Sequence, residues 1–165
     1  MDRVWAGVIG SAVVLAVAAY LTRANQRRFF GALAGGVAAA AVNVAVDVAA
    51  SASHLWRYPS VSTPYAPLWY YSGALMGVAA IALVIWRVDR RYGSRGVALA
   101  LAASAVLFPI RDYRVATTTN VIEFGDCLAP WLADGVAAVV VISAAVLVMR
   151  VLAGRADSDS LARSQ

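Results

Sequence analysis

The chain has 165 residues, of which 62% are apolar and only 14% charged, and its mean hydropathy of +0.72 excludes an ordinary soluble domain, in which about a quarter of residues are charged. The net charge of +5 rests on 14 basic residues, all of them arginine. No basic patch is interleaved with aromatics in the manner of a nucleic-acid surface, so no nucleic-acid partner is expected and the basicity is read as membrane topology.

A helix crosses a hydrocarbon core of roughly 30 Å with about 20 mostly apolar residues. Five runs of this kind are separated by charge: about 4–22, 29–53, 65–86, 95–110 and 128–153. They predict an all-α, integral membrane bundle of five transmembrane helices. The first run ends at the cluster RANQRR, from Arg23 to Arg28. Its Ala16-Val17-Ala18 is similar to a cleavage site, but the preceding Met-Asp-Arg has no net positive charge, so a retained anchor is expected.

The second run contains NVAVDVAASASHLWRYP, Asn43 to Pro59. At about 100° per residue, Asn43, Asp47, Ser51 and His54 fall within roughly an 80° sector, and the stripe extends back through Gly31, Gly35 and Ala39. Glycines four apart admit a close neighbouring helix. The third run repeats the spacing at Gly73 and Gly77, which predicts that the second and third helices pack as antiparallel neighbours. It stops at RVDRRYGSRG. The fourth run is short and ends in FPIRDYR, and the segment VIEFGDC that follows reads as re-entrant or surface-lying because apolar residues flank Glu123. The fifth run opens with LAPWLADG, and residues 155–165 form a polar tail.

Arg23, Arg27, Arg28, Arg87, Arg90, Arg91, Arg95, Arg150, Arg155 and Arg163 fall on one side of such a bundle, and Arg3, Arg57, Arg111 and Arg114 on the other. Basic residues in short loops stay in the cytoplasm, which predicts an N-terminus outside and a C-terminus inside, in a bacterial inner membrane.

Asp47 lies about 10 Å below His54 along a helix rising 1.5 Å per residue. An ionised carboxylate at a helix centre costs about 2.5–3.5 kcal/mol on insertion scales, so Asp47 must be paired, hydrated or protonated. Asp134 lies about one turn into the fifth helix from the same side. Two acids sharing a dry site do not both ionise cheaply, which makes one of them a candidate proton donor. Asp47, Asp134 and His54 are therefore the candidate catalytic groups. The candidate ligand-binding set is Asn43, Trp56, Arg57, Tyr58, Trp69, Arg111, Asp112, Tyr113 and Glu123. Arg111 or Arg57 pairing with Asp47 or Asp134 is the structural alternative. Trp56, Tyr58 and Trp69 belong either to an interfacial aromatic belt or to the mouth of a pocket.

A metal site from Asp47, His54, Asp134 and Glu123 would contain the chain's only histidine, and no metal or cofactor is expected. No P-loop, dinucleotide fingerprint or nucleophile elbow occurs. The single Cys127 excludes an intramolecular disulfide and leaves an intermolecular one open.

The segments NVAVDVAASASHLWRYPSVSTPYAPLWYY, WRVDRRYGSRG, PIRDYR and LAPWLADG together resemble a group of uncharacterised small polytopic membrane proteins from bacteria. The resemblance implies a shared fold and polar cluster, and no activity. More loosely, the chain is similar to small membrane-embedded carotenoid and terpene cyclases, in which acids among helices protonate an isoprenoid, although their Pro-x-Glu motif is absent here. Three functions are weighed: binding or conversion of a lipid or isoprenoid by carboxylate acid/base chemistry; an accessory or assembly subunit with a structural polar cluster; and a proton- or ion-coupled transport subunit. Expected partners are membrane lipid, a hydrophobic small molecule, and a second copy or another membrane protein.

Overall fold

Long Ala- and Val-rich segments have no water to satisfy their backbone in a bilayer, so they close every N–H and C=O within helices. The computed structural model, which describes residues 2–154 and side chains from residue 6 onward, contains four helices: α1 (Asp2–Thr22), α2 (Gln26–Ala52), α3 (Leu68–Thr119) and α4 (Leu128–Ala153). A two-stranded antiparallel ladder, β1 (Trp56–Arg57) and β2 (Glu123–Phe124), ties two of the loops together. The tail 155–165, with Arg155 and Arg163, lies outside the described residues, as does the side chain of Arg3. Among the described residues, α2, α3 and α4 are long and apolar enough to cross a membrane, while the apolar stretch of α1, Ala6–Thr22, is shorter. The fold is all-helical apart from the ladder and suits an integral membrane protein.

The third and fourth apolar runs share α3, which is interrupted at Gly93 (φ 61°, ψ −155°). Arg111 Nη2 donates to Tyr70 Oη at 3.3 Å, whereas a straight helix would hold these residues about 60 Å apart. The chain therefore folds back, and α3 is a hairpin with arms 68–92 and 94–119. A left-handed residue without Cβ makes the reversal. Gly96 lets the arms close: a Cβ there would lie 2.7 Å from Val88 Cγ1 and 2.8 Å from Tyr92 Cβ.

Association of apolar helices in lipid depends on close backbone approach. A Cβ on Gly35 would lie 2.5 Å from the Ala145 carbonyl oxygen, and one on Gly31 would lie 3.1 Å from Ala153 Cβ. Both α2 glycines expected to pack closely do so, but against α4. The α2–α3 contact is made by Gly36, whose Cβ would lie 2.5 Å from the Leu75 carbonyl oxygen. Gly73 and Gly77 repeat the spacing without repeating the role. Gly77 has nothing within 4 Å of its Cβ position, and Gly73 faces Ser11 Oγ at 3.5 Å.

The two ends of the bundle differ. At the arginine end, the Arg28 guanidinium lies 4.1 Å from the centroid of the buried Trp86 ring. Arg150 Nη2 reaches Asp89 Oδ2 at 2.6 Å, and Arg27 Nε donates to the Leu152 carbonyl at 2.9 Å, near the last turn of α4. At the ladder end, α2 finishes in a left-handed turn. Leu55 N donates to the Ala50 carbonyl at 2.9 Å and His54 N to the Ser51 carbonyl at 3.1 Å, with His54 at φ 56°. This is a Schellman closure with histidine where glycine usually sits. It sends the chain back over the end of α2, where Trp56 pairs with Phe124 and Arg57 with Glu123. The segment expected to lie on the surface is thereby held as β2.

Candidate functional site

Small residues facing one another without touching leave space, and in this bundle they leave a chamber. Its volume is about 960 Å³, at the upper end of the roughly 300–1,000 Å³ of small-molecule sites. α1 contributes Gly7, Gly10, Ser11 and Val14; the first arm of α3 contributes Trp69, Tyr70, Gly73, Gly77 and Ile81. The second arm adds Phe108, Arg111 and Asp112, α4 adds Asp134 and Val141, and α2 adds Asn43. From Trp69 to Ile81 the lining runs twelve residues along one helix, or about 18 Å. Gly7, Gly10 and Gly77 each have nothing within 4 Å of a Cβ position, so these glycines widen the chamber.

Its charged groups gather toward the ladder end. Arg111 Nη2 donates to Tyr70 Oη, and Arg111 Nε lies 3.0 Å from Asp112 Oδ1. The two residues are adjacent in sequence, and the contact lacks hydrogen-bond alignment. Asp112 Oδ1 and Asp134 Oδ2 are buried atoms with no hydrogen-bond donor on them. Buried acceptors in this state are costly, about 1–3 kcal/mol each and more when charged. The pole thus offers unfilled acceptor capacity beside an apolar wall. Chemically it can take up a donor group, or hold and release a proton at Asp134.

Asp47 is built in the opposite way. It is only 3% exposed and accepts from Tyr58 Oη at 2.9 Å and Trp56 Nε1 at 3.2 Å on one oxygen, and from Tyr71 Oη on the other. Tyr71 Oη in turn accepts from Ala66 N at 3.1 Å. The donors come from β1, from the loop behind it and from the first arm of α3, so Asp47 gathers three segments around the end of α2. Burial, and then the Asp47 charge, push the Tyr58 hydroxyl well above its usual range, which keeps it a donor. Asp47 is not among the residues lining the chamber.

A second cleft lies over the ladder. It is lined by His54, Trp56, Arg57, Tyr113, Glu123, Phe124, Cys127 and Trp131 among others. Arg57 Nη2 and Glu123 Oε2 are 2.6 Å apart in an exposed pair. Tyr113 stacks on Phe124 with ring centroids 6.0 Å apart and tilts against Trp131 at 6.1 Å. Cys127 is exposed.

The residues singled out from the sequence are therefore divided among three places. Asn43, Trp69, Arg111, Asp112 and Asp134 line the chamber; Asp47 and Tyr58 form the cage; His54, Arg57, Tyr113 and Glu123 border the cleft, and Trp56 joins cage to cleft. The α2 stripe divides because the helix stops at Ala52, leaving His54 in the turn beyond. Among the described residues, no three His, Cys, Asp or Glu side chains are placed to hold a metal ion. Sequence reasoning did not single out Tyr70 as a partner of Arg111, nor Gly7, Gly10 and Ser11 of α1 as a wall. The α1 signal was present in its small-residue spacing, which α2 and α3 share. No protein-family model, curated protein or solved structure matches the chain.

Proposed function

We propose that the protein is a multi-pass protein of the bacterial inner membrane that binds a lipid or isoprenoid in the chamber. In this reading α1, α2, the two arms of α3 and α4 make five crossings. The N-terminus and the ladder end are outside, and the arginine-rich end is cytoplasmic, in keeping with the retention of basic loops. The observation that supports ligand binding is the chamber itself: apolar along about 18 Å, with acceptor groups gathered at one pole. Conversion of the ligand would pass a proton through Asp134, whose second oxygen is unengaged, with Arg111 holding Asp112.

The test begins with the protein extracted from membranes in a mild detergent and the lipids that accompany it, identified by mass spectrometry. Gly77→Leu adds a side chain into the open chamber, where the glycine meets no neighbour. The wild type is expected to retain a defined apolar molecule that the variant loses while melting at the same temperature. Equal retention by both proteins would sink the proposal.

A structural role is favoured for the Asp47 cage by its own observation: three side-chain donors engage both oxygens of a buried carboxylate that does not border the chamber. This part of the polar stripe fits the accessory-subunit reading, in which the exposed cleft over the ladder meets a partner protein. Transport is disfavoured because the chamber lining toward the arginine end is Val14, Val78, Ile81, Phe108 and Val141, which gives an ion no coordinating path.

A further inference from the structure

The chamber's pole has an unequal charge inventory. Asp112 and Asp134 carry two carboxyl groups and Arg111 one guanidinium, which is already in contact with Asp112 and with Tyr70 Oη. The buried atoms at the pole that lack a partner are both acceptors, Asp112 Oδ1 and Asp134 Oδ2. In a low-dielectric site an unpaired acceptor is most strongly satisfied by a charged donor. Away from the pole, Gly77 and Gly10 open a slot between the first arm of α3 and α1, with Val78, Ile81 and Val141 beyond it. The slot runs parallel to the helices and begins at the polar end.

We infer that the ligand is an amphiphile with a primary ammonium head, the head seated at Asp134 and an apolar chain lying in the glycine slot. This deepens the reading of the chamber as a ligand site and rests on it. An ammonium group supplies three donors and one positive charge, so it holds Asp134 in its ionised form and balances the pole. A carboxylate or phosphate head would set a further negative charge beside two carboxyl groups, with the single Arg111 already in contact with Asp112 and Tyr70. A hydroxyl head would supply one donor and leave the charge uncompensated. The same head could belong to a free long-chain amine or to an aminolipid, and both present it to Asp134 in the same manner.

The discriminating experiment is native mass spectrometry of the full-length protein in a neutral detergent, offered hexadecylamine, hexadecanol and palmitic acid, three probes of equal chain length. The amine should bind at least roughly tenfold more tightly than the other two, the size of effect expected from one charge-assisted hydrogen bond. In Asp134→Asn that preference should vanish while residual chain binding persists, and in Gly77→Leu all three probes should be lost. If Asp134→Asn is not recovered folded, Asp134→Ser carries the same expectation. Equal binding of alcohol and amine, tighter binding of the acid, or a preference that survives loss of the carboxylate overturns the ammonium assignment. When Gly77→Leu still excludes every probe, the chamber reading survives that result. Binding of all three probes to Gly77→Leu as to the wild type overturns the chamber itself. A final arm compares phosphatidylethanolamine with hexadecylamine: displacement of the amine by the lipid assigns the head to an aminolipid, and no displacement assigns it to a free amine.

Discussion

Asp47 and Asp134 are two carboxyl groups in the same end of one bundle, the first in the last two turns of α2 and the second in the first two turns of α4. Asp47 receives three side-chain donors and is sealed, whereas Asp134 keeps an oxygen with none and borders a chamber of about 960 Å³. Similar chemistry at similar depth is thus used once to close a structure and once to leave it open. The difference lies in the neighbours. Asp47 faces the loop that folds back over α2, rich in Trp and Tyr, and Asp134 borders a chamber whose wall carries glycine, alanine, Asp112 and an Arg111 already in contact with Tyr70.

The contrast is broken most severely at Asp47. Asp47→Leu strands the Trp56 indole and the Tyr58 and Tyr71 hydroxyls, each at about 1–3 kcal/mol, so a loss above about 3 kcal/mol is expected in thermal unfolding in detergent. A melting temperature within a degree of wild type would show that the cage closes nothing. The glycines provide the next largest effect. Gly35→Ala drives a methyl group toward the Ala145 carbonyl and should cost about 1–3 kcal/mol; Gly77→Ala meets open space and should gain about 0.5–1 kcal/mol from helix propensity. If both substitutions shift stability in the same direction, the distinction between packing and spacing glycines fails. Asp134→Asn should change stability by less than about 1 kcal/mol, since no donor is stranded when the charge is removed, while the ligand response changes. A loss comparable to that of Asp47→Leu would make Asp134 a structural group as well. The smallest effect is expected at the ladder surface: Glu123→Ala removes a pair whose side chains are 76% and 44% exposed, worth about 0–1 kcal/mol and weaker in high salt.

Much of this arrangement was legible in the residues. Mostly apolar runs punctuated by arginine predicted the helical membrane fold, and a carboxylate in an apolar run drew attention to Asp47 and Asp134, because such a group requires an explanation wherever it occurs. The opposed roles of the two acids were not legible. Asp47 finds its donors through a turn that starts at His54 in a left-handed conformation and through a ladder that joins residues 56–57 to 123–124, and neither pairing leaves a periodic trace. The glycines were ambiguous for a related reason. Four-residue spacing reports that one face of a helix is small; whether that face meets a neighbour, as at Gly35, or an opening, as at Gly77, depends on where the partner helix runs. Helix count met the same limit, since the third and fourth runs are joined through a single glycine turn in α3.

The donors of Asp47 have a consequence for biosynthesis. All three follow it in the chain, and the last, Tyr71, comes 24 residues later. At about 5–20 residues per second, roughly one to five seconds of translation separate the carboxylate from its final partner. During that interval the end of α2 carries an acid without its full set of donors. A chain that ends before Tyr71 is therefore expected to leave Asp47 with the Trp56 and Tyr58 donors alone and the end of α2 incompletely closed.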